Sequence, residues 1–387
     1  MQTIYLDHAA TSFPKAPGVP EAMSRYLTEV GGNPGRGSYA PATQAELAAM
    51  TLREKLCDLF DSSDPEACVF TSGATVGLNL VLKGILQPGD HALVSSMEHN
   101  AVMRPLHQLA GVQIEKVPCD AEGVMHAETL IARIRPETRM VCLTHASNVC
   151  GTLLPVEAVG EVCKARGIPF VVDVAQTAGH MPVSMEHVHA SALVVPAHKG
   201  LLGPQGIGAV LMREAFAHQV NPLITGGTGS RSDQEIQPEE LPDKFEAGTQ
   251  NIPGIYGFLA AVEYVSPRLN EIHTQTMRLT GRFLAGISSL PHTRLLGKTT
   301  PEGRMPVISL DFTGLDNAMV ADRLAREYGI FTRCGLHCAP SAHRTLGSFP
   351  QGSVRFSIGA FNTQDEIDRT LETLRTILTD RRSFAQF

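Results

Sequence analysis

From residue 43 to residue 212 the chain repeats one pattern, in which short apolar runs alternate with helical periods. "ATQAELAAMTLREKLCDLF" leads to "ACVFTSG", and "ATVGLNLVLKGIL" follows. Then come "HALVSS", "VQIEKVP", "RMVCLTHAS", "IPFVVDVA", "ASALVVPA" and "GAVLMRE", with helical stretches near 99–110, at "AETLIARI" and at "PVEAVGEVCKARG". Short Val- and Ile-rich runs separated by helices read as βαβ units, and such units build a mostly parallel sheet. The predicted class is α/β. The segment 225–251 is rich in Gly, Pro and charge and reads as a long loop. Beyond it, a helical region over 253–290, strand "PVISLDF", helix "NAMVADRLAREYG", strands "IFTR" and "SVRFSIG" and a last helix from about 363 predict a second, α+β unit. A chain of 387 residues is long enough for two domains.

In an open parallel sheet, ligands gather at the carboxyl ends of the strands. Four such ends carry unusual residues. "TSGAT" (71–75) turns a strand into a helix through small residues, leaving helix N–H groups open to an anion, although an ordinary helix cap has the same look. Asp173 ends "VVDVAQ", where a buried carboxylate needs a partner. Lys199 in "VVPAHKGLLGPQG" sits before glycines at the mouth of the sheet, where an amine can condense with an aldehyde. "THASN" puts His145 and Asn148 at a fourth end. Taken singly, each has a plain reading as a loop or surface residue. Together they match one cofactor, pyridoxal 5'-phosphate (PLP), whose ring nitrogen takes a carboxylate, whose aldehyde takes a lysine and whose phosphate takes a helix start.

The ordered stretches "YLDHAATS", "TSGATVGLN", "MEHNAV", "THASNVCG", "VDVAQ", "HKGLLGPQGIG", "FEAGTQN", "RCGLHCAP" and "VRFSIGAFNT" span nearly the whole chain. In this order they resemble the cysteine desulfurase and selenocysteine lyase branch of the class V aminotransferase family, in the group with a short R-x-G-x-x-C segment. The resemblance implies the PLP-dependent fold type I: a large PLP-binding domain over 15–251 and a small C-terminal domain over 252–387 that takes in the N-terminal segment 1–14. It also implies a homodimer with active sites at the subunit interface. By motif, Lys199 would hold PLP covalently, Asp173 would face the pyridinium nitrogen and Gln176 the ring hydroxyl. His99 would stack on the ring and move protons. Asn148 would approach the ring hydroxyl or the substrate. Ala74, Thr75 and His198 would bind the phosphate, with Thr249 reaching over from the second subunit. Arg355, assisted by Arg333, would grip the substrate carboxylate through the two-pronged contact that guanidinium suits. Where the family usually has serine in Ser-x-His-Lys, this chain has Pro196, so one phosphate donor is missing. A hydrogen bond to a charged group is worth about 1.5–3 kcal/mol, a loss the covalent lysine link and the other donors can offset. Cys334 is a second departure.

The stretch "RCGLHCAP" (333–340) admits three readings from its residues: half of a metal site, a disulfide, or a nucleophile on a loop. A zinc site built on Cys334, His337 and Cys338 lacks a matching Cys/His pair elsewhere. The resemblance places the nucleophilic thiol at Cys338, with His337 able to lower its pKa if charged and close. Cys68, Cys142 and Cys163 lie in apolar patterns and are expected in the core. The expected activity is conversion of L-cysteine to L-alanine with sulfur captured as a persulfide on Cys338. The alternatives are selenocysteine lyase, cysteine sulfinate desulfinase or an epimerase-like activity on the same scaffold, or a non-catalytic sulfur-delivery or redox-sensing role. A sulfur-acceptor protein is a possible partner.

Charge supports none of the polyanion-binding classes. Thirty-two Lys and Arg against 39 Asp and Glu give a net charge of −7, so no nucleic-acid or anionic-membrane partner is expected. No apolar run nears the roughly 20 residues that span a bilayer. "MQTIYLDHAATS" lacks a signal peptide's basic flank and apolar stretch. Eight cysteines scattered over so long a chain suit reduced thiols, and a cytoplasmic location is expected.

Overall fold

The computed structural model describes residues 3–35 and 37–379, so the expected domain ends at 1–2 and 380–387 lie outside it. Thirteen strands occur among these residues. In chain order they are β1 (Ile4–Tyr5), β2 (Cys68–Thr71), β3 (His91–Ser95), β4 (Gln113–Val117), β5 (Thr138–Thr144), β6 (Phe170–Asp173), β7 (Ala192–Pro196), β8 (Gly208–Met212), β9 (Thr293–Leu296), β10 (Val307–Phe312), β11 (Ile330–Phe331), β12 (Arg333–Gly335) and β13 (Ser353–Ser357).

Seven strands form the large sheet in the order β2-β8-β7-β6-β5-β3-β4. From β7 to β4 every pairing is parallel. β8 is antiparallel to both its neighbours. Two reversals therefore return β2 to the direction of β7, and the carboxyl ends of β2, β3, β5, β6 and β7 share one edge. Residues of β3, β6, β7 and β8 are buried throughout, as a sheet covered on both faces requires.

Successive side chains leave a strand on opposite faces. Phe170 and Val172 accordingly join one core with Leu52, Leu56 and Phe60 of the Ala40–Phe60 helix and Phe258. Val171 joins another with Leu78 and Val81 of the Ala74–Ile85 helix. Cys68, Cys142 and Cys163 are buried in these cores.

The C-terminal part carries an antiparallel sheet, β12-β13-β10-β9. β1 pairs in parallel with β11, and Ile4 and Leu6 pack in the C-terminal core beside Ile308 and Phe356. The helical region expected over 253–290 is two helices, Ile252–Val265 and Leu269–Ile287, separated by a 3-10 turn at Ser266–Arg268. Pro267 in that turn has no N–H and its ring blocks the helical carbonyl before it. Core membership changes within the second helix: Leu269 and Ile272 belong to the first core, Leu279 and Phe283 to the C-terminal one. "AETLIARI" forms only one short helix, Ala127–Ile131. The strand β9 was not expected. Among the described residues no helix is long and apolar enough to cross a membrane.

Candidate active site

Five strand ends converge on a cavity of about 280 Å³. β2 delivers Ala74 and Thr75, β3 His99, β5 Asn148, β6 Asp173 and Gln176, and β7 His198 and Lys199; all line that cavity. Gly73 starts the Ala74–Ile85 helix at φ 137° and ψ 174°, a conformation essentially confined to glycine, and no side chain caps the helix. The Ala74 and Thr75 N–H groups have no acceptor among the described residues, which suits an anion.

Lys199 lies in the turn between β7 and β8, and its carbonyl accepts the Leu202 N–H at 2.9 Å. A Cβ at Gly200 would stand 2.4 Å from the Ala178 carbonyl oxygen. That close approach clamps the lysine turn onto the turn after β6. Burial pushes the Lys199 amine down to about 8; Asp173 opposes the shift, while Arg355 and Arg333 add to it. Asp173 is 4% exposed. Its pKa is raised by burial, against the pull of the Ala175 N–H at 2.9 Å and of Lys199.

His99 caps the Asn100–Gln108 helix, its Nδ1 accepting the Ala101 N–H at 3.0 Å. That bond assigns the ring proton to Nε2. Burial, then Lys199 and the arginines Arg355, Arg104 and Arg333, pushes its pKa down to about 4, so the ring is neutral at pH 7. The amide nitrogen of Gln176 donates to the Ala9 carbonyl at 3.2 Å.

Cys338, Arg333 and Arg355 stand on the small-sheet side, outside the cavity lining. Two hydrogen bonds hook their loop onto it: Asn100 N–H to the Cys338 carbonyl and Asn148 Nδ2 to the His337 carbonyl, both 2.7 Å. Asn148 thus gives one of its two amide protons to the loop while still lining the cavity. Both His337 and Cys338 have positive φ, 49° and 58°. Cys338 is exposed. Arg333 and Arg355 are cross-strand partners on β12 and β13. Arg355 is 2% exposed and donates to the Asn148 carbonyl at 3.1 Å and to Asp7 Oδ1 at 2.9 Å. Among the described residues its Nε has no partner.

The structure corrects one expectation. His337 is no cationic tuner: burial and the nearby Arg355 push its pKa down to about 2, and Nε2 pairs with Ser353 Oγ at 3.1 Å. Thr249, expected to act from a second subunit, stands apart from this cavity in its own chain. It is exposed and lines a separate one with Thr71, Ser72 and Phe245. Among the described residues no group of three His, Cys, Asp or Glu side chains is placed to hold a metal ion.

Residues that motif reasoning missed also build the site. Glu98, beside His99, is 1% exposed and accepts from Ser95 Oγ at 2.5 Å and from Thr144 N–H at 3.0–3.1 Å. Burial pushes its carboxyl up to about 8. Glu98 in "MEHN" and Asp7 in "YLDHAATS" were both inside recognised stretches.

A family model, aminotransferase class-V, matches residues 4–370. The chain belongs to the aminotransferase class-V family. Curated class-V relatives include a probable cysteine desulfurase of Methanothermobacter thermautotrophicus, 33% identical over 97% of this chain and 94% of that one. The cysteine desulfurase IscS of Methanosarcina thermophila is 30% identical over 99% and 94%. Among solved structures, the apo cysteine desulfurase from Thermococcus onnurineus NA1 superposes with a TM-score of 0.91 at 31% identity, over 97% of this chain and 94% of that one. The Escherichia coli cysteine desulfurase CsdA gives 0.85 at 27%, over 97% and 96%. As a class-V member the chain is an enzyme with the fold-type-I scaffold, and the family is PLP-dependent.

Proposed function

We propose that this enzyme is a PLP-dependent cysteine desulfurase, converting L-cysteine to L-alanine and capturing the sulfur on Cys338. The observation that carries the reading is the hook between the two halves of the site. The Cys338 carbonyl is tied to the residue after His99, beside a cavity that holds Lys199 and Asp173 together.

The residues fit the cofactor. Lys199 has a lowered pKa and so a usable free amine, Asp173 is a buried carboxylate, and the uncapped helix start offers free N–H groups to a phosphate. Bound there, PLP supplies an electron sink for the bonds at the substrate's α-carbon. Lys199 would hold it and Asp173 would keep its ring nitrogen protonated. Gln176 and Asn148 would contact it, and His99 would supply an Nε2–H donor. Arg355, with Arg333 opposite, orients the substrate carboxylate. In the net transfer the Cys338 thiolate forms a bond to the substrate sulfur as the C–S bond breaks. The electron pair stays with carbon, and a proton there completes alanine.

The relatives named cysteine desulfurase support this substrate over cysteine sulfinate. Dimerisation is part of the reading, with Thr249 exposed and available to a second copy. So are a sulfur-acceptor protein, made accessible by the exposed Cys338, and a cytoplasmic setting. The test is alanine release by Cys338→Ala. Release from L-cysteine is expected to fall about a hundredfold or more, the scale of losing an essential nucleophile. Release from L-selenocysteine should persist, since selenium can leave without that thiol. Undiminished release from cysteine would exclude the persulfide route. A wild-type protein active on selenocysteine alone would favour the lyase reading.

A further inference from the structure

Pro196 removes a hydroxyl from the end of β7 and has no N–H to give in its place. It lines the cavity two residues before His198. Behind His198 lies a compact polar cluster from the N-terminal segment. The Lys15 ammonium donates to Thr11 Oγ1, Ser12 Oγ and the His198 carbonyl, each at 3.2 Å. All three of its protons are thereby used, and among the described residues no carboxylate pairs with it. His198 Nδ1 lies 3.1 Å from Thr11 Oγ1.

A count of protons orients this cluster. The His198 carbonyl already accepts the Ser12 N–H at 2.8 Å, the Ser12 hydroxyl at 3.0 Å and the Lys15 ammonium at 3.2 Å, more donors than it has lone pairs. Thr11 Oγ1 accepts a hydrogen bond from Lys15, which can only donate, and has one proton of its own to give. The carbonyl, 3.2 Å away, is taken by closer donors. Nδ1 is the remaining acceptor. The ring proton then sits on Nε2, the edge opposite Thr11, on a side chain that lines the cavity. The ring itself is neutral at pH 7, with burial, Lys199 and Lys15 pushing its pKa down to about 4.

We propose that Lys15 is a positioning residue for the anion-binding end of the cavity. Through Thr11 it fixes His198 as an Nε2–H donor and sets an unpaired positive charge behind that ring, so that His198 and Lys15 stand in for the hydroxyl absent at Pro196. The anion is the phosphate of PLP, and to that extent the inference rests on the cofactor reading above.

The test compares binding of PLP and of pyridoxal, which lacks the phosphate, to the apoprotein by absorbance titration. Lys15→Met should weaken PLP about tenfold or more, the scale of one hydrogen bond to a charged group, and leave pyridoxal within about twofold. Thr11→Val should weaken PLP selectively but less, because the charge of Lys15 remains. Lys15→Arg should recover part of the loss. The nitrogen-15 signals of the His198 ring should report Nε2 protonation in wild type and a tautomer mixture in Thr11→Val. Equal weakening of both ligands, or no weakening of PLP, in Lys15→Met and Thr11→Val alike would overturn the proposal while leaving the cofactor reading intact. A wild-type protein that binds neither ligand would overturn both.

Discussion

Lys199 shows how a single residue is prepared for its role. An ordinary lysine amine is almost wholly protonated at neutral pH, and only the neutral amine condenses with an aldehyde. Burial disfavours the charged form, so the folded pKa lies near 8, below the ordinary 10.5. The free-amine fraction therefore grows as pH rises through about 8. Capture of PLP by the apoprotein, followed by borohydride trapping, is expected to accelerate with an inflection there, and an inflection above 10 would contradict this account. Arg355 carries a second prediction. Asp7 pairs with the Arg355 guanidinium and so competes with any substrate carboxylate for it. Asp7→Asn should lower KM for L-cysteine several-fold in steady-state kinetics, because one competing anion is gone; a raised KM would mean that Asp7 chiefly orients the arginine. Lys199, Asp173 and Cys338 stood out in the sequence as candidates because each is a distinctive residue type in a short motif. Asp7, Glu98 and Lys15 did not, because their roles depend on long-range contacts such as the one from Asp7 to Arg355, 348 positions apart.

Among the elements, the loop over 225–251 is anchored by one buried ion pair. Arg53 of the Ala40–Phe60 helix donates to both oxygens of Glu246 at 2.9 and 2.7 Å, and Glu246 also accepts the Phe70 N–H of β2 at 2.7 Å. Both residues are under a tenth exposed. Removing one partner of such a pair strands a buried charge, so Glu246→Ala should cost about 3–5 kcal/mol of stability in chemical denaturation. A loss under about 1 kcal/mol would show the pair to be dispensable. The 225–251 segment reads as a loop from its Gly, Pro and charge, but this anchor could not be read, because a glutamate in a charged stretch looks solvated. The same limit applies to "RCGLHCAP". Its cysteine was recognised, yet the positive φ at His337 and Cys338 and the neutral, buried state of His337 follow only from packing.

Across the whole molecule, the alternation of apolar runs and helices was enough to reach an α/β fold, since βαβ units admit few topologies. The reversals at β8 were invisible because a buried strand carries the same Val- and Leu-rich pattern in either direction. They matter for function: β8 returns the Lys199 turn to the sheet and brings β2, with its helix start, to the edge where the other strands end. The candidate site thus sets a wall from the large sheet beside the loop that follows β12 and carries Cys338. The central claim is that sulfur crosses between them. Incubation with L-cysteine followed by mass spectrometry of the peptide containing Cys338, without reductant, tests it directly. The account predicts a gain of one sulfur atom on Cys338 that appears with alanine and is lost on reduction; alanine release with no sulfur on Cys338 would contradict it.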